Sequence, residues 1–271
     1  MKIHLVDFKE PQFQNYTFDP FLHAFFISLK KLGHDVSLAI RETDDTAINI
    51  FFAFHRVFVD NFKFKLPKKT IIFNLEPLHE RTNIDRFKKY NNEISKNFPI
   101  IDYSYENHKF LGIKNCYIFK FGFFNFELHY SSNTNNKITF IGTLNQRRVD
   151  ILNQLYSKKV DIIAINKLWG IHRDNELIKS KSIINICKNE KSILEIYRIW
   201  HALCLGIPVI SEMGIDKRLV DDWEKYVFFT SNLLSFDYQK YNNAKCLLYK
   251  ETSFENEVLN LCKWINEIFS P

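Results

Sequence analysis

Apolar runs too short to be helices alternate with amphipathic stretches along this chain, and after one polar interruption the alternation starts again. Lys2 to Val6 (KIHLV) reads as a strand. Phe21 to Leu32 carries apolar residues at helical spacing and stops at Gly33, and Asp35 to Ile40 is the next strand. Further strands are expected at Ala47 to Phe54, Thr70 to Asn74, Ile100 to Tyr103 and Cys116 to Lys120, with helices at Ile84 to Asn97 and Glu106 to Leu111. Strands that alternate with helices need crossover connections, which implies a mostly parallel sheet covered on both faces.

The interruption is SSNTNNK, Ser131 to Lys137, a stretch with no apolar residue. After it, strands are expected at Ile138 to Ile141, Val160 to Ile165, Ser182 to Ile186, Pro208 to Ser211 and Val227 to Phe229. Helices are expected at Arg148 to Tyr156, Ser192 to Leu205 and Asp216 to Lys225, and a long amphipathic helix at Ser253 to Phe269. The expected architecture is therefore α/β, with two Rossmann-like domains facing across a cleft. Residues 1–130 form the first domain, 131–137 the linker and 138–252 the second domain, and 253–271 a terminal helix that packs back across the boundary.

Composition narrows the function classes. The net charge of +6, from 37 basic and 31 acidic residues, suits an anionic small molecule or an anionic surface. No basic run or arginine-rich tract points to nucleic acid. The five cysteines form no CxxC pair and have no histidines clustered beside them, so buried free thiols are expected in place of a zinc site or a disulfide framework. Phe (27) and Tyr (12) are numerous alongside abundant Lys, Asn and Ile, which fits an AT-rich coding bias more than an aromatic binding surface. Neither a signal peptide nor an 18-residue apolar window is evident, so the chain reads as soluble and cytoplasmic. GxxxxGK[ST], GxGxxG and GxSxG are all absent, which argues against an ATPase, a dinucleotide dehydrogenase of the usual type and an α/β-hydrolase.

Three segments carry candidate chemistry. In FIGTLNQRR (Phe140 to Arg148) a strand ends at Gly142 and a helix begins soon after, so backbone N–H groups at the positive end of a helix, with Arg147 and Arg148 beside them, suit a phosphate. The plain reading is a glycine turn with solvated arginines. In LEIYRIWHALCLGIPVISE (Leu194 to Glu212) Arg198 and His201 sit three apart on one helix face. Glu212 lies at the carboxyl end of a strand, where open α/β sheets bind ligands. The plain reading makes Arg198 and His201 ordinary exposed helix residues. In FNLEPLHE (Phe73 to Glu80) Glu76, His79 and Glu80 follow a strand end and could act as a general base or bind sugar hydroxyls, against a plain reading of helix-cap and turn chemistry. Weaker candidates are Asp7, His55 and the Trp169-Gly170 corner with Arg173 and Asp174.

FIGTLNQRRVDILNQL, KSIINICK and YRIWHALCLGIPVISE together resemble the C-terminal half of GT-B glycosyltransferases, in particular the CgeB/YkvP-type "glycosyl transferases group 1" domains. IIFNLEPL resembles a segment of related bacterial surface-polysaccharide enzymes. The resemblance covers Lys137 to Glu212 clearly and the first half diffusely. It implies sugar transfer from a nucleotide-activated donor to a hydroxyl of a bacterial surface glycan, such as capsule or lipopolysaccharide. Metal and cofactor are not expected, and the first domain takes the acceptor. Gly142, Asn145, Arg147, Arg148, His201 and Glu212 are the donor-binding candidates, and Arg198, Glu76 and His79 the catalytic ones. His201 stands where the family usually has Glu, and Cys187 where it often has His. Expected partners are a nucleotide-sugar and a glycan, with a place at the inner face of the membrane by peripheral contact. Rival expectations are transfer of a phosphoryl-type group on the same scaffold, or a non-catalytic nucleotide- or glycan-binding protein.

Overall fold

The computed structural model of the chain describes residues 1–8, 18–52, 66–78, 96–112, 115–127, 137–166, 168–238 and 244–269. His79, His55, most of the helix expected over 84–97 and all but Lys137 of the expected linker 131–137 lie outside the described residues.

The first half builds a six-stranded sheet. Its elements are β1 (Lys2–Asp7), α1 (Asp19–Lys31), β2 (Asp35–Ile40), β3 (Ile48–Phe52), β4 (Thr70–Phe73), β5 (Ile100–Asp102), α2 (Tyr105–Leu111) and β6 (Cys116–Ile118). The spatial order is β2-β1-β3-β4-β5-β6, and every pairing is parallel. β3 and β4 are buried at every position, as strands covered on both faces must be. The edge strand β2 leaves Leu38 and Ile40 exposed. Gly33 ends α1 at a φ of 78°, which a side chain would strain.

The second half builds a five-stranded sheet from β7 (Ile138–Ile141), α3 (Gln146–Ser157), β8 (Ile162–Ile165), α4 (Gly170–Leu177), β9 (Ser182–Asn185), α5 (Ile196–Cys204), β10 (Val209–Glu212), α6 (Lys217–Trp223) and β11 (Phe228–Thr230). Its order is β11-β10-β9-β7-β8, again parallel throughout. A short 3-10 turn (Leu233–Ser235), α7 (Ala244–Tyr249) and α8 (Phe254–Phe269) complete the described elements. Two of these expectations need correction. The helix expected from Ser192 begins only at Ile196, and the Trp169-Gly170 corner opens a helix, α4.

The chain forms two compact units. One comprises Met1–Tyr16, Leu22–Phe121 and Phe254–Pro271; the other comprises Thr17–Phe21 and Gly122–Ser253. The terminal helix α8 thus belongs with the first sheet. Phenylalanines join it there: Phe52 meets Phe73 at 5.2 Å between ring centroids, Phe73 meets Phe119 at 5.3 Å, and Phe119 meets Phe254 at 5.5 Å. Glu257 adds a polar anchor, accepting from the Tyr117 hydroxyl at 3.0 Å and the Lys120 amide at 2.9 Å. Much of the phenylalanine content is therefore core. The five cysteines are all free thiols, four of them buried.

Both strand orders reverse direction once, between β1 and β3 in the first sheet and between β7 and β9 in the second. At such a reversal the loops leave in opposite directions and open a crevice at the carboxyl ends of the strands, where ligands of open α/β sheets bind. In the first unit the loops that follow β1 and β3 lie outside the described residues. In the second unit the corresponding loops are described in full.

Candidate functional site

The crevice of the second unit is framed by the turn after β7, the loop after β9 and the start of α5. Asn145 joins two of these. Its side chain caps α3 by accepting from the Arg148 amide at 3.0 Å, and its Nδ2 donates to the Lys188 carbonyl at 2.8 Å. The cap explains why α3 starts at Gln146, ahead of the expected Arg148. Arg147 and Arg148 then fall in the first turn of the helix, with no acidic residue there. Cations at the positive end of a helix dipole are unfavourable, so other groups must hold them.

Two carboxylates do so. The fork of Arg147 grips Glu212 at 2.6 Å (Nη2 to Oε1) and 3.0 Å (Nη1 to Oε2). Glu212 Oε2 also accepts from the Cys187 amide at 2.8 Å, and Arg147 Nη1 donates to the Cys187 carbonyl at 2.8 Å. The hydrogen bond to Glu212 raises the Arg147 pKa above its ordinary value. Arg148 points inward and is 3% exposed. Its Nε donates to the Ile186 carbonyl at 3.0 Å, its Nη1 to the Thr143 carbonyl at 2.9 Å, and its Nη2 to Glu195 Oε1. Burial lowers its pKa, with Glu195 opposing the shift.

Arg198 enters from α5. Its Nη1 donates to Asn185 Oδ1 at 2.8 Å and its Nη2 to Glu195 Oε2 at 2.5 Å. Asn185 is itself fixed by donating to the Ser211 hydroxyl at 2.9 Å. Arg198 also lies over the Phe140 ring, with Cζ 5.7 Å from the centroid. Gly142 has a φ of 141°, and a Cβ built on it would meet Arg198 Nη2 at 2.6 Å, so any other residue there would be strained and would displace the guanidinium. Three guanidiniums (Arg147, Arg148, Arg198) face two carboxylates (Glu195, Glu212), which leaves one positive charge in excess.

The structure thus brings together Gly142, Asn145, Arg147, Arg148, Arg198 and Glu212, all named from sequence. It adds Glu195, which sequence reasoning missed. Desolvation alone would raise the Glu195 carboxyl, but the charges of Arg198 and Arg148 and the hydrogen bonds from both outweigh it and hold it below its ordinary value. The one available signal was the i, i+3 spacing of Glu195 and Arg198, which reads as a common surface pair.

His201 is placed elsewhere. It is buried, with Nε2 3.5 Å from Asp174 Oδ1 and its ring 5.3 Å from that of Phe126. Asp174 in turn accepts from Arg173 Nε at 2.9 Å, so three residues named separately from sequence form one cluster between α4 and α5. Burial lowers the His201 pKa against the pull of Asp174. Neither Arg198 nor His201 is the exposed helix residue of the plain reading. Cys187 contributes its backbone to the site; its buried thiol is pushed up to about 12 by desolvation first, then by Glu212 and Glu195.

In the first unit Glu76 follows β4 in a loop held by a buried amide-carboxylate network. Asp102 Oδ2 accepts from Asn74 Nδ2 at 2.8 Å, and Oδ1 accepts from Asn107 Nδ2 at 3.0 Å, the Tyr103 amide at 2.7 Å and the Ser104 amide at 2.9 Å. Asn74 and Asn107 each donate to the Glu76 carbonyl, at 2.9 Å and 3.0 Å, and the Leu78 amide donates to Asn107 Oδ1 at 2.8 Å. The network fixes the path of residues 74–78 and leaves the Glu76 side chain partly exposed.

No protein-family model matches the chain. A protein of Acanthamoeba polyphaga mimivirus is 31% identical over 163 residues, which is 57% of this chain. The chain spans about a fifth (22%) of the length of that relative. Among solved structures, Anabaena HepE in complex with UDP superposes with a TM-score of 0.57 at 9% identity, covering 100% of both chains. WaaG, a glycosyltransferase involved in lipopolysaccharide biosynthesis, does so at 0.54 and 9% identity over 99% of this chain and 100% of its own. TarM follows at 0.50 and 13% identity, covering 89% of this chain and 57% of its own. With two parallel sheets in two Rossmann-like units, the chain has the GT-B fold.

Proposed function

We propose that this protein is a GT-B glycosyltransferase that moves a sugar from a nucleotide-activated donor to a hydroxyl of a surface glycan, without a metal ion. The observation that carries the reading is Arg147, Arg148 and Arg198 gathered at the switch point of the second sheet, where they oppose the helix dipole. Three guanidiniums matched by only two carboxylates suit an anion. The fold neighbours are consistent with it: HepE was solved with UDP, and WaaG is a glycosyltransferase.

When the glycosidic bond to a nucleoside diphosphate breaks, negative charge gathers on the departing phosphate. Oriented donors already in place stabilise that charge without reorganisation. Arg198 presents a guanidinium held by Glu195 and Asn185 against Gly142, whose missing side chain leaves room for it. The free N–H groups at the start of α3 supply further donors. Glu212, held by Arg147, is the residue assigned to hydroxyls of the donor. In the first unit Glu76 and His79 are assigned to the acceptor hydroxyl, Glu76 on a loop that the Asp102 network keeps rigid. Among the described residues no helix is long and apolar enough to cross a membrane, and a bacterial capsule or lipopolysaccharide acceptor would place the enzyme at the inner face of the membrane by peripheral contact.

The test is a thermal-shift panel of UDP-, GDP-, CMP- and dTDP-sugars, followed by transfer assays with the donor that stabilises most. One donor class should raise the melting temperature, and Arg198→Ala should abolish most turnover while remaining folded. Wild-type turnover in that variant, or stabilisation by no activated sugar, removes the reading.

A further inference from the structure

The transferase reading uses the arginines, yet the residue that sets the geometry of two of them is Glu195. Its carboxylate is divided: Oε1 accepts from Arg148 Nη2 and Oε2 from Arg198 Nη2. The two ends differ in freedom. Arg148 is fixed by two backbone carbonyls and is nearly inaccessible to solvent. Among the described residues Arg198 has one other hydrogen-bonding partner, Asn185, which reaches Nη1. Glu195 therefore works as a strut from a guanidinium held by backbone carbonyls to a more exposed one held by side chains. Both cations also lie over one face-bearing ring, Phe140, with Cζ atoms 5.5 Å and 5.7 Å from its centroid. Without the carboxylate between them they would repel, and Arg148 is held by two backbone carbonyls.

The backbone supports this role. The helix expected from Ser192 begins only at Ile196, and Glu195 stands at the cap position with φ −79° and ψ 74°, making no side-chain cap bond. Its carboxylate is spent on the arginines and not on the helix end. Upstream, Leu194 packs against Gly214, where a Cβ would meet Leu194 Cγ at 2.8 Å. The residue before the carboxylate is thus packed in place.

We propose that Glu195 is a positioning residue: it holds the Arg198 guanidinium beside Gly142, at the place of the departing phosphate, and acts on transfer through Arg198 and not by touching the donor. This rests on the transferase reading above. Its consequence is a specific dependence: Glu195 matters to turnover only while Arg198 is present.

The experiment is a kinetic double-mutant cycle on the full chain, using the nucleotide-sugar selected by the thermal-shift panel. Glu195→Gln removes the charge and keeps the shape. It should lower kcat by about 10- to 100-fold, the scale of a misplaced catalytic group, with a smaller change in donor KM. In an Arg198→Ala background the same replacement should change kcat by less than about threefold. Equal factors in the two backgrounds, or wild-type kcat in Glu195→Gln, overturn the proposal. Should Glu195→Gln fail to fold, Glu195→Asp keeps the charge, shortens its reach and is run through the same cycle. A kcat loss that vanishes in the Arg198→Ala background supports the strut, and wild-type kcat or an equal loss in both backgrounds overturns it. If the wild-type chain transfers no sugar from any donor, the transferase reading falls and takes this inference with it. Transfer by the wild type matched by Glu195→Gln overturns the inference alone.

Discussion

The guanidinium of Arg198 fills the space that a side chain on residue 142 would need, since a Cβ on Gly142 would stand 2.6 Å from its Nη2. Gly142 and Arg198 are 56 residues apart in sequence (198 − 142), in the turn after β7 and on α5, and a side chain at 142 would require the guanidinium to shift. Gly142→Ala should therefore act as a disguised Arg198 variant. The φ of 141° adds strain of about 1–3 kcal/mol to the fold. Displacement of Arg198 should cut turnover by about 100-fold. Paired with Arg198→Ala, the steric part of the melting-temperature loss should disappear and the backbone part remain. A Gly142→Ala enzyme with full turnover would show that Arg198 has no fixed place.

Glu212→Gln tests the other carboxylate. The replacement weakens the fork to Arg147 and the bond from the Cys187 amide, two charge-assisted hydrogen-bond systems at the carboxyl end of β10. A loss of about 1–3 kcal/mol in unfolding free energy is expected. If Glu212 also meets donor hydroxyls, titration calorimetry should show about tenfold or greater loss in donor affinity.

Asp102 gives the first unit a pH signature. Burial pushes its carboxyl up to about 7, against the donors of Ser104, Asn74, Asn107 and Tyr103. The folded state thus binds a proton more tightly than the unfolded chain, whose Asp titrates near 3.8. Stability from this group is fully present below about pH 4 and is lost as pH rises towards about 7. Asp102→Asn removes the dependence. Denaturant titrations should show the advantage of wild type over Asp102→Asn shrinking by about 3 kcal/mol between pH 5 and pH 8. A constant difference would mean that Asp102 titrates normally.

Glu257 tests how α8 is held to the first sheet. Glu257→Ala leaves the Tyr117 hydroxyl and the Lys120 amide without their acceptor and should cost about 1–3 kcal/mol. Glu257→Gln keeps an oxygen in place and should cost less. Amide exchange at Lys120 should accelerate in Glu257→Ala before global unfolding does.

The alternation of apolar runs and amphipathic stretches was enough to read both sheets, because period and burial follow directly from side-chain chemistry. Strand bounds at Asp35 to Ile40 and Ile138 to Ile141 agree with the structure at both ends. What escaped was set by tertiary contact. Ser192 to Glu195 continue an amphipathic pattern, yet Glu195 is drawn out of the helix by two arginines from separate elements. α4 begins with Gly170, has no side-chain cap, and buries only Arg173 and Leu177, a signal too thin for sequence to register. His201 was placed with Arg198 because residues three apart share a helix face, but its partner Asp174 comes from α4, an element the sequence did not reveal. At the candidate site the cluster was legible residue by residue, since glycine and arginine are informative types. The carboxylate linking them was not, because a glutamate three before an arginine is commonplace.

The return of α8 to the first sheet has a consequence for the order in which this protein can be made. Every residue of the second unit has been synthesised once Ser253 is added, whereas the first unit, begun at residue 1, still lacks a wall. Phe119 waits for Phe254, and Tyr117 and Lys120 wait for Glu257. The half of the chain that is translated first is therefore the half that closes last, and its apolar face stays open to water through the synthesis of the whole arginine-bearing unit.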